Sequence, residues 1–591
     1  MPTKLSVNFQ SVIFIILIII LGSVVYFNSL GGSFIWDDAG LVKNNAYLKS
    51  WSNLPQIFTR NIWAGIGEGS CVYRPLQMVT YLVDYSFWNL DPRPYHLTNM
   101  LLHILAALSL YWFVNILFNH RFLALFSGLL FVCHPVHTEA VAYISGRADP
   151  LVMIFILIAF IFYLKFLKAS NLSAWIIALL SFVLALLSRE NAIIFPALLL
   201  VYHYTFKKKL EIKLFLSILV IAVGYLVFRL IFKDTLFYDT PVASTFLQRL
   251  PGFFAALANY VRVLFLPLNL HMEYGNIFYS FFSFRVIIGL GIILFLLFYV
   301  FKSKHQDRLV LFSALWFIVA LLPVSNLYPL NAYMAEHWLY LPAIGFCIIL
   351  AQAFVVLFEK DKMKLLALGL FIGWLFCYCY LTVKQNAYWK SELSFYQRTL
   401  AYAPPSEKVY YNLGNLLCAR GETERAILMY LKAIELNPRY VNAYINLGGA
   451  YIGLGRNEEG IKYCQQALEL DSRLPGAYYN LGGAYYNLTQ KDLALKMFQK
   501  CVQLNPLHVE AYNNLASGYA EAGNIDEAIK LWERCVKINP DFTTAHFNLA
   551  VFYFQIKKYD LAIKHCDRLI ILGAQVDPKF LEKLLPFRNK K

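Results

Sequence analysis

Charged residues are scarce in this chain of 591 residues: they make up 15% of it, while hydrophobic residues make up 59%. A soluble protein of average composition carries about 25% charged residues. This deficit excludes a soluble domain that extends over the whole chain. The formal net charge of +16 does not indicate nucleic-acid binding, because many lysines and arginines lie in short loops between apolar runs, where membrane topology explains them better.

Cysteine is also infrequent, and the ten cysteines form no disulfide framework. Cys501 and Cys535 occupy equivalent positions of a sequence repeat, which indicates small buried core residues. The apolar runs are confined to residues 1–385, whereas 386–591 has the composition of a soluble helical protein. We therefore expect two bodies that fold in different solvents, a membrane half and a water-exposed half.

The membrane half contains eleven apolar stretches that fit the roughly 20 residues a helix needs to cross a bilayer. The first, 12–30, lacks a small-residue cleavage site, so we interpret it as a transmembrane helix rather than a removed signal. A further stretch, 251–267, is short and contains Asn259 and Arg262, which indicates a re-entrant or interfacial helix. The eleven predicted spans begin near Val12, Leu97, Phe122, Leu151, Leu172, Asn191, Ile212, Val286, Val310, Trp338 and Met363.

Basic residues predict the sidedness of these spans. With the N-terminus in the cytoplasm, the cytoplasmic turns are 119–121, 165–171, 207–213, 302–308 and 359–364. Nearly all of them are rich in Lys and Arg, as the positive-inside rule requires. A twelfth crossing at the doubtful apolar stretch would move the last two turns outside and break the pattern. Eleven crossings place the water-exposed half outside the cytoplasm.

The opposite side of the membrane collects acidic, basic and histidine residues. Ionisable groups at membrane depth are costly, so their concentration on one face indicates a functional site. The span that begins at Phe122 has only a short apolar run before Pro135, which predicts a short, broken helix that lines a cavity. Besides a long first loop (31–95), this side holds the motifs Trp36-Asp37-Asp38, Tyr73-Arg74-Pro75-Leu76, His134-Pro135-Val136-His137-Thr138-Glu139, Gly146-Arg147-Ala148-Asp149, Ser188-Arg189-Glu190-Asn191 and Ala335-Glu336-His337.

The second half of the chain repeats itself with a constant period of 34 residues, the period of tetratricopeptide repeats. Small residues in the second helix of each unit allow the paired helices to approach closely, and proline ends most units. The recurring positions are Asn412, Asn446, Asn480, Asn514 and Asn548; Pro404, Pro438, Pro506 and Pro540; and Ala426, Gly460, Ala494, Ala528 and Ala562.

The recurring asparagines suggest a peptide-binding face. Arrays of this kind form a concave groove suited to an extended peptide, and an asparagine amide can bond both the N–H and the C=O of a peptide backbone. The alternative is that these asparagines bridge helices of their own array. The series Asn412, Asn446, Asn480, Asn514 and Asn548 leaves both interpretations open.

Together these patterns predict an all-α protein with a polytopic transmembrane domain followed by a tetratricopeptide α-solenoid. The predicted parts are a multi-pass membrane domain over 1–385, a linker over 386–406, five repeats over 407–574 and a basic C-terminal tail over 575–591.

Several of these motifs resemble one known family. The chain is similar to the transmembrane-and-tetratricopeptide-repeat proteins, which are O-mannosyltransferases of the multi-pass C-type glycosyltransferase (GT-C) fold with repeats facing away from the cytoplasm. One departure is His337, where arginine is more usual in the family. The motifs that carry the resemblance are Trp36-Asp37-Asp38, Tyr73-Arg74-Pro75, His96–His103, His134–Val141, Gly146–Asp149 and Glu336–Pro342.

The resemblance implies a catalytic role for the acidic pair Asp37 and Asp38. Sugar transfer from a lipid-linked phosphate needs a group that deprotonates or aligns the acceptor hydroxyl, and cations that neutralise the departing phosphate. We expect one of the two aspartates to be the base, with inversion at the sugar carbon. The structural alternative is that the pair caps the helix that follows the first span.

Three arginines are candidates for the donor phosphate, because a guanidinium offers a fixed fork of donors to phosphate oxygens. They are Arg74, Arg147 and Arg189. Each could instead pair with a neighbouring carboxylate or a lipid headgroup.

The remaining polar residues of this side are expected to contact the sugar or the acceptor. His134, His137 and Glu139 have a spacing that could also hold a metal, but Pro135 intervenes, so we expect no obligatory metal, although a divalent ion stays possible. Hydrogen bonding to sugar hydroxyls or to Asp149 is the favoured interpretation. The full set is His134, His137, Glu139, Asp149, Glu190, Glu336 and His337.

Three functions remain open at this point. The first is transfer of a sugar, mannose in the family, from a polyprenyl-phosphate or dolichyl-phosphate lipid to Ser/Thr hydroxyls of proteins held by the repeats. The second is a related enzyme with a lipid or glycan acceptor, whose repeats bind a partner protein. The third is a non-catalytic membrane scaffold. The expected location is a prokaryotic inner membrane with extracytoplasmic repeats, with the endoplasmic reticulum membrane as the alternative.

Overall fold

The computed structural model describes residues 4–67, 70, 72–231, 245–275, 277–302, 308–330 and 332–588. Within these ranges the protein is helical and has no β-strand, as predicted. The chain divides into two compact units, Met1–Pro404 and Pro405–Lys591. This division falls inside the predicted linker 386–406.

The first unit is built from the helices α1 to α16. In chain order they are Lys4–Tyr26, Leu54–Thr59, Pro75–Trp88, Pro92–Phe118, Arg121–Cys133, Thr138–Ala142, Ala148–Ala169, Leu172–Ser188, Phe195–Phe206, Ile212–Ile231, Phe246–Phe265, Phe284–Lys302, Arg308–Leu321, Ala343–Phe358, Lys364–Tyr388 and Glu392–Tyr402. Short 3-10 turns connect several of them.

The apolar helices of this unit agree with a membrane protein. Five are long and apolar enough to cross a bilayer, or six if one bent pair counts as a single span. Four shorter apolar helices, in α8, α12, α13 and α14, accompany them. Each of the eleven predicted starts falls on a helical segment, and the number of crossings stays a prediction. The predicted cytoplasmic turns lie at junctions of consecutive helices, although 165–169 still belongs to α7 and most of turn 302–308 lies outside the described residues.

The predicted broken helix is confirmed. Helix α5 ends at Cys133, and the segment Pro135–Ala142 continues at an angle of 53°. Pro135 has no N–H to donate, and the ring of His134 caps the new turn by accepting a hydrogen bond from the backbone N–H of Val136 (3.1 Å). The bend therefore follows from the His-Pro pair.

The doubtful stretch 251–267 lies mostly in α11 (Phe246–Phe265), which packs against α12. Gly289 permits this close packing, because a Cβ at that position would lie 1.9 Å from the carbonyl oxygen of Phe254. Helix α11 is not among the candidate spans. Its predicted re-entrant or interfacial character stays a prediction.

The second unit consists of five helix pairs, as the repeat predicts, and a final helix. The helices α17 to α27 are Glu407–Ala419, Thr423–Leu436, Val441–Gly453, Asn457–Leu470, Pro475–Asn487, Lys491–Leu504, Val509–Glu521, Ile525–Ile538, Thr543–Gln555, Tyr559–Ile571 and Pro578–Arg588. The turn inside each pair contains one residue with positive φ, at Gly421, Gly455, Thr489, Gly523 and Lys557.

The cores of the repeats contain the predicted small residues. Ala426, Ala494, Ala528 and Ala562 are buried, and a Cβ on Gly460 would lie 2.9 Å from the carbonyl oxygen of Gly448. The repeat cysteines 464, 501, 535 and 566 are buried and free, which confirms that they are packing residues. The first helix of each unit therefore lies tightly against the second.

The segment predicted as a basic tail, 575–591, contains helix α27. The ring of Phe587 stacks on Tyr559 with centroids 3.6 Å apart, and Arg588 pairs with Asp567. Helix α27 thus covers the end of the last repeat, while residues 589–591 lie outside the described part of the chain.

Candidate active site

The acidic turn, residues 35–38, is anchored by Asp38. Its side chain is fully buried and accepts hydrogen bonds from the backbone N–H of Ile35 (3.0 Å) and from the N–H and hydroxyl of Ser145 (2.9 and 2.5 Å). Burial raises the pKa of Asp38 to about 7, although these hydrogen bonds act in the opposite direction. The carboxylate therefore accepts hydrogen bonds from Ile35, which precedes it in the chain, and from Ser145. This arrangement contradicts the alternative in which it caps the next helix.

Asp37 has a different environment from its neighbour. Its side chain is partly exposed, and its backbone N–H donates to the hydroxyl of Tyr143 (3.2 Å). Trp36, immediately before it, has a φ of 49°, which is rare for a bulky residue and stores strain of about 1–3 kcal/mol. Asp37 is thus held at the backbone, with a carboxylate that solvent can reach.

Arg74 forms a two-pronged ion pair with Glu190, a residue 116 positions away. The two hydrogen bonds measure 3.1 and 2.7 Å, and the side chains are 17% and 39% exposed. Burial opposes ionisation of Glu190, but the charge and hydrogen bonds of Arg74 outweigh it and hold the pKa of Glu190 below its ordinary value. Proline at position 75 fixes the start of α3, and Arg74 is the residue that precedes it.

Arg189 pairs with Asp149, and both side chains are almost completely buried. Charge from Arg74 and from His337 also acts on Asp149. Arg74, Glu190, Arg189 and Asp149 therefore form one group of alternating charges. This group joins the first loop, α7 and the turn before α9. Arg74 and Arg189 both lie in this group.

The surroundings of Arg147 do not favour the predicted contact with a phosphate. Its side chain is 0% exposed and forms an ion pair with Asp84 (2.6 Å). It also donates to the side-chain oxygens of Asn99 (2.6 Å) and Thr80 (3.2 Å) and to the carbonyl of Tyr95 (3.0 Å). A guanidinium with this set of partners ties the first loop to the start of α7.

His134 also has a structural role. Its Nε2 lies 2.9 Å from the carbonyl oxygen of Leu264, while its Nδ1 caps the Pro135 turn. Because both ring nitrogens are engaged, hydrogen bonding to a sugar, which the sequence suggested, does not fit this residue.

His137 is buried between the rings of Phe131 and Tyr340, with centroids 4.2 and 4.7 Å away. Among the described residues, neither of its ring nitrogens has a hydrogen-bond partner. Throughout the residues that the structure describes, no group of three or more His, Cys, Asp or Glu residues is arranged to hold a metal ion. The metal site considered for His134, His137 and Glu139 therefore has no geometric support.

Glu139 contacts His337, which joins the bent segment to the turn before α14. The backbone N–H of His337 donates to Glu139 (3.0 Å), and its Nδ1 lies 2.6 Å from the other carboxylate oxygen. His337 is 25% exposed, whereas Glu139 is 2% exposed. In this pair, the imidazole of His337 is therefore the group that solvent can reach.

Glu336 points to a different set of partners. Its carboxylate accepts from the hydroxyl of Tyr274 and from the backbone N–H of His271, both at 2.6 Å. Burial, and then the charge of Glu139, raises the pKa of Glu336 well above its ordinary value. Glu336 thus fixes the loop after α11 against the segment before α14.

Contacts between distant motifs show which of the predicted residues lie together. Four connections join the predicted extracytoplasmic segments: Asp38 with Ser145, Arg74 with Glu190, Arg189 with Asp149, and Glu139 with His337. The predicted topology requires an even number of crossings between each pair, and these contacts agree with it. The structure therefore brings most of the predicted motifs to one face.

Sequence reasoning missed the partners that organise this face. Ser145 holds Asp38, and Tyr143 accepts from the backbone of Asp37. Gly146 follows them, and a Cβ there would lie 2.6 Å from the carbonyl oxygen of Glu139, so only glycine allows the turn to pack on the bent segment. The position of Ser145 directly beside the Gly146-Arg147 motif was the available signal.

The asparagine series of the repeats is used within the array. The amide of Asn446 donates to Asn415 (2.8 Å) and Tyr411 (3.1 Å) of the preceding repeat. Asn480 donates to the carbonyl of Ile445 (2.9 Å) and Asn548 to the side chain of Asn513 (3.2 Å). For these three, the geometry favours the bridging alternative. Asn514 accepts from Asn513, and Asn412 is partly buried in α17.

Family models match both halves of the chain. The model described as Dolichyl-phosphate-mannose-protein mannosyltransferase matches residues 79–232, and models of tetratricopeptide repeats match 414–455, 440–506, 479–534 and 514–577. Among solved structures, the chain is similar to MamA (27% identity, 27% of this chain and 94% of that chain, TM-score 0.25). It is also similar to YrrB (26% identity, 33% and 97%, TM-score 0.26).

Several curated proteins are similar over most of the chain. A protein O-mannosyl-transferase of Caenorhabditis elegans is 28% identical over 72% of this chain and 63% of its own length. The Homo sapiens protein O-mannosyl-transferases TMTC3 and TMTC4 are each 26% identical over 70% of this chain, and over 50% and 65% of their own lengths. The chain thus spans less than two thirds of these relatives. The predicted resemblance to the transmembrane-and-tetratricopeptide-repeat family is confirmed, as is the integral-membrane character.

Proposed function

We propose that this protein transfers mannose from a polyprenyl-phosphate donor to Ser/Thr hydroxyls of proteins. The observation that carries the proposal is the acidic turn, whose partly exposed Asp37 belongs to the same group of joined motifs as Arg74 and Arg189. The family match over 79–232 includes Arg189 and Asp149 but not Asp37 or Arg74, and the similar proteins are named protein O-mannosyl-transferases. A scaffold would have no use for such a concentration of paired charges at the membrane.

In the proposed reaction, the acceptor hydroxyl oxygen attacks the anomeric carbon of the sugar. The bond from that carbon to the phosphate oxygen breaks, and its electron pair leaves with the lipid phosphate, which is already an anion. The hydroxyl proton passes to an aspartate carboxylate. Attack from the side opposite to the leaving group inverts the configuration of the sugar carbon.

Asp37 is the base in this proposal, and Asp38 is its positioning neighbour. A base must come within hydrogen-bond distance of the hydroxyl that it deprotonates. Asp37 is partly exposed, so an acceptor hydroxyl can approach it, whereas Asp38 is fully buried. Asp38 fixes the turn from which the Asp37 carboxylate projects.

Arg74 and Arg189 supply the positive charge for the donor phosphate. Arg74 is the more accessible of the two, with a side chain that is 17% exposed, and Glu190 fixes its orientation by binding Nε and Nη2. Arg189 is more deeply buried against Asp149 and acts through its field. His337, oriented by Glu139, is proposed to contact the sugar or the phosphate from its exposed edge. Because the two guanidiniums supply the positive charge that the departing phosphate needs, the proposal includes no metal.

The repeat array is proposed to hold the protein acceptor in the compartment of the acidic turn. Support comes from α16, which follows the last predicted span and packs against Trp36 of the first loop. Tethering an acceptor there raises its effective concentration at the base. The relatives named above are animal proteins, which favours the endoplasmic reticulum membrane over the prokaryotic inner membrane that the sequence suggested.

An in vitro transfer assay tests the proposal. Purified protein is mixed with labelled polyprenyl-phosphate mannose and with acceptor proteins, and incorporation into Ser and Thr is measured by mass spectrometry. The Asp37→Asn variant is expected to lose activity by roughly 10²–10⁴-fold, the usual contribution of a general base. Full activity of Asp37→Asn would contradict the assignment of the base, and no transfer by the wild type to any acceptor would contradict the function.

A further inference from the structure

Helix α16, the last helix of the first unit, packs directly against the acidic turn. The ring of Trp36 lies 5.7 Å from that of Phe395 and 5.9 Å from that of Tyr396, centroid to centroid. Both residues of α16 are almost completely buried, at 3% and 4% exposure. The residue before Asp37 is therefore packed against two aromatic residues that lie more than 350 positions later in the chain.

A second set of contacts ties the same region to the turn. The backbone N–H of Ser33 donates to the carbonyl of Lys390 (3.1 Å). The ring of Trp389 lies 5.4 Å from that of Tyr143, whose hydroxyl accepts the N–H of Asp37. The acidic turn thus has the α15–α16 junction on one side and the Tyr143–Ser145 segment on the other.

The backbone conformation of Trp36 explains why such a clamp is needed. Its φ of 49° lies in the left-handed region, where a side chain with a Cβ is disfavoured. Such a conformation persists only when the surroundings over-determine it. The ring contacts of Trp36 with Phe395 and Tyr396 supply that constraint. Without these contacts the backbone of the turn would relax to a more favourable φ at Trp36, and the side-chain carboxylates of Asp37 and Asp38 would move.

We propose that α16 is a positioning element for the acidic turn. Its aromatic residues hold Trp36 in the left-handed conformation and thereby fix where the Asp37 carboxylate points. The proposal rests on the proposed function in so far as Asp37 is the base. Tyr396 and Phe395 touch neither substrate in this account; they act through Trp36. Helix α16 directly precedes the repeat array in sequence, so the active turn is held by the segment that leads into the repeats.

A matched pair of substitutions on one helix tests the positioning role. Tyr396→Leu removes a ring from Trp36, whereas Tyr402→Leu removes a ring from the same helix where it contacts Arg398 instead (4.1 Å). Tyr396→Leu is expected to lower kcat about tenfold or more, as misplacement of a reacting group does. Its KM for the lipid donor should stay within about twofold, because donor binding is not altered. Tyr396→Phe should restore kcat, and Tyr402→Leu should leave it unchanged.

A chemical readout makes the test independent of transfer activity. The full-length variants are treated in detergent with a water-soluble carbodiimide and an amine, and modification of Asp38 is measured by peptide mass spectrometry. Fully buried Asp38 should react slowly in the wild type and in Tyr402→Leu, and several-fold faster in Tyr396→Leu and Trp36→Leu. Gel filtration identifies any variant that fails to fold, and Trp36→Leu then tests the contact from the other side.

The outcomes separate this inference from the proposed function. Equal kcat and equal labelling in Tyr396→Leu and Tyr402→Leu would overturn the positioning role while leaving the transferase assignment intact. Absence of transfer by the wild type, together with faster Asp38 labelling in Tyr396→Leu, would overturn the transferase assignment and support the clamp.

Discussion

Asp37 and Asp38 are neighbours in the chain, yet their environments separate them chemically. Asp38 is enclosed and has a pKa raised by burial to about 7, whereas Asp37 is partly exposed. The sequence predicts that an acidic pair matters, because both residues carry the same group. It cannot predict which one is buried, since that depends on Ser145, which lies 107 positions away.

The raised pKa of Asp38 predicts a pH-dependent stability. Between the ordinary aspartate pKa near 4 and the folded value near 7, the folded state binds more protons than the unfolded state, so stability falls as pH rises through this window. The loss is on the order of a few kcal/mol. The melting temperature of the wild type should therefore decrease from pH 5 to pH 8 relative to that of Asp38→Asn. Parallel pH profiles of the two proteins would contradict the burial of an ionisable Asp38.

Arg74 and Arg147 are both candidates for the donor phosphate by sequence, but their substitutions should have different effects. Arg74→Gln removes a partly exposed cation and is expected to raise the donor KM, by roughly 10- to 100-fold for a charged hydrogen bond of about 1.5–3 kcal/mol. Arg147→Gln leaves Asp84 buried without its partner, at a cost of about 3–5 kcal/mol in the free energy of unfolding. Donor titration and thermal unfolding distinguish the two effects. A larger KM change in Arg147→Gln, with unchanged stability, would reverse the assignment.

Among the elements, the bent segment and the repeats could be predicted, because local signals encode them. Pro135 breaks α5 wherever the tertiary structure places it, and the repeat period fixes the helix pairs. The role of α16 could not be predicted, and its residues fell within a region taken to be a linker. Its Phe395 and Tyr396 pack against Trp36, which lies more than 350 positions earlier in the chain.

The turn after the bent segment offers an element-level prediction. Gly146→Ala places a Cβ 2.6 Å from the carbonyl oxygen of Glu139, and backbone atoms at such a distance must shift. Overpacking of this kind costs about 1–3 kcal/mol, and it displaces Ser145 from Asp38. We expect a lower melting temperature together with a lower kcat.

Gly224→Ala in α10 is the matched control for this substitution. A Cβ at Gly224 has no described heavy atom within 4 Å, and alanine favours the helix by up to about 1 kcal/mol. Its melting temperature should be equal to or above that of the wild type. If Gly146→Ala were as stable and as active as Gly224→Ala, the turn would not depend on glycine.

At the scale of the whole molecule, topology decides whether the parts can cooperate. The positive-inside pattern predicts the side of each turn, and the contacts among the first loop, the bent segment and the turns before α9 and α14 agree with the prediction that these segments share one side. The array can supply acceptors to Asp37 only if it faces the same compartment. Composition alone could not establish which compartment the array faces, because one additional membrane crossing would place the array on the other side.

Labelling of single cysteines in sealed vesicles measures this sidedness directly. A membrane-impermeant maleimide is applied to protein with a cysteine at Ser52 of the first loop, at native Cys418 in the first repeat, or at Lys209 in a predicted cytoplasmic turn; all three positions are exposed. Cys71, Cys377 and Cys379 are replaced by Ser in all three proteins, and Cys418 is also replaced by Ser in the variants with a cysteine at Ser52 or Lys209. The account predicts that positions 52 and 418 react from the same side of the membrane and position 209 from the other. Reaction of positions 52 and 418 from opposite sides would contradict it.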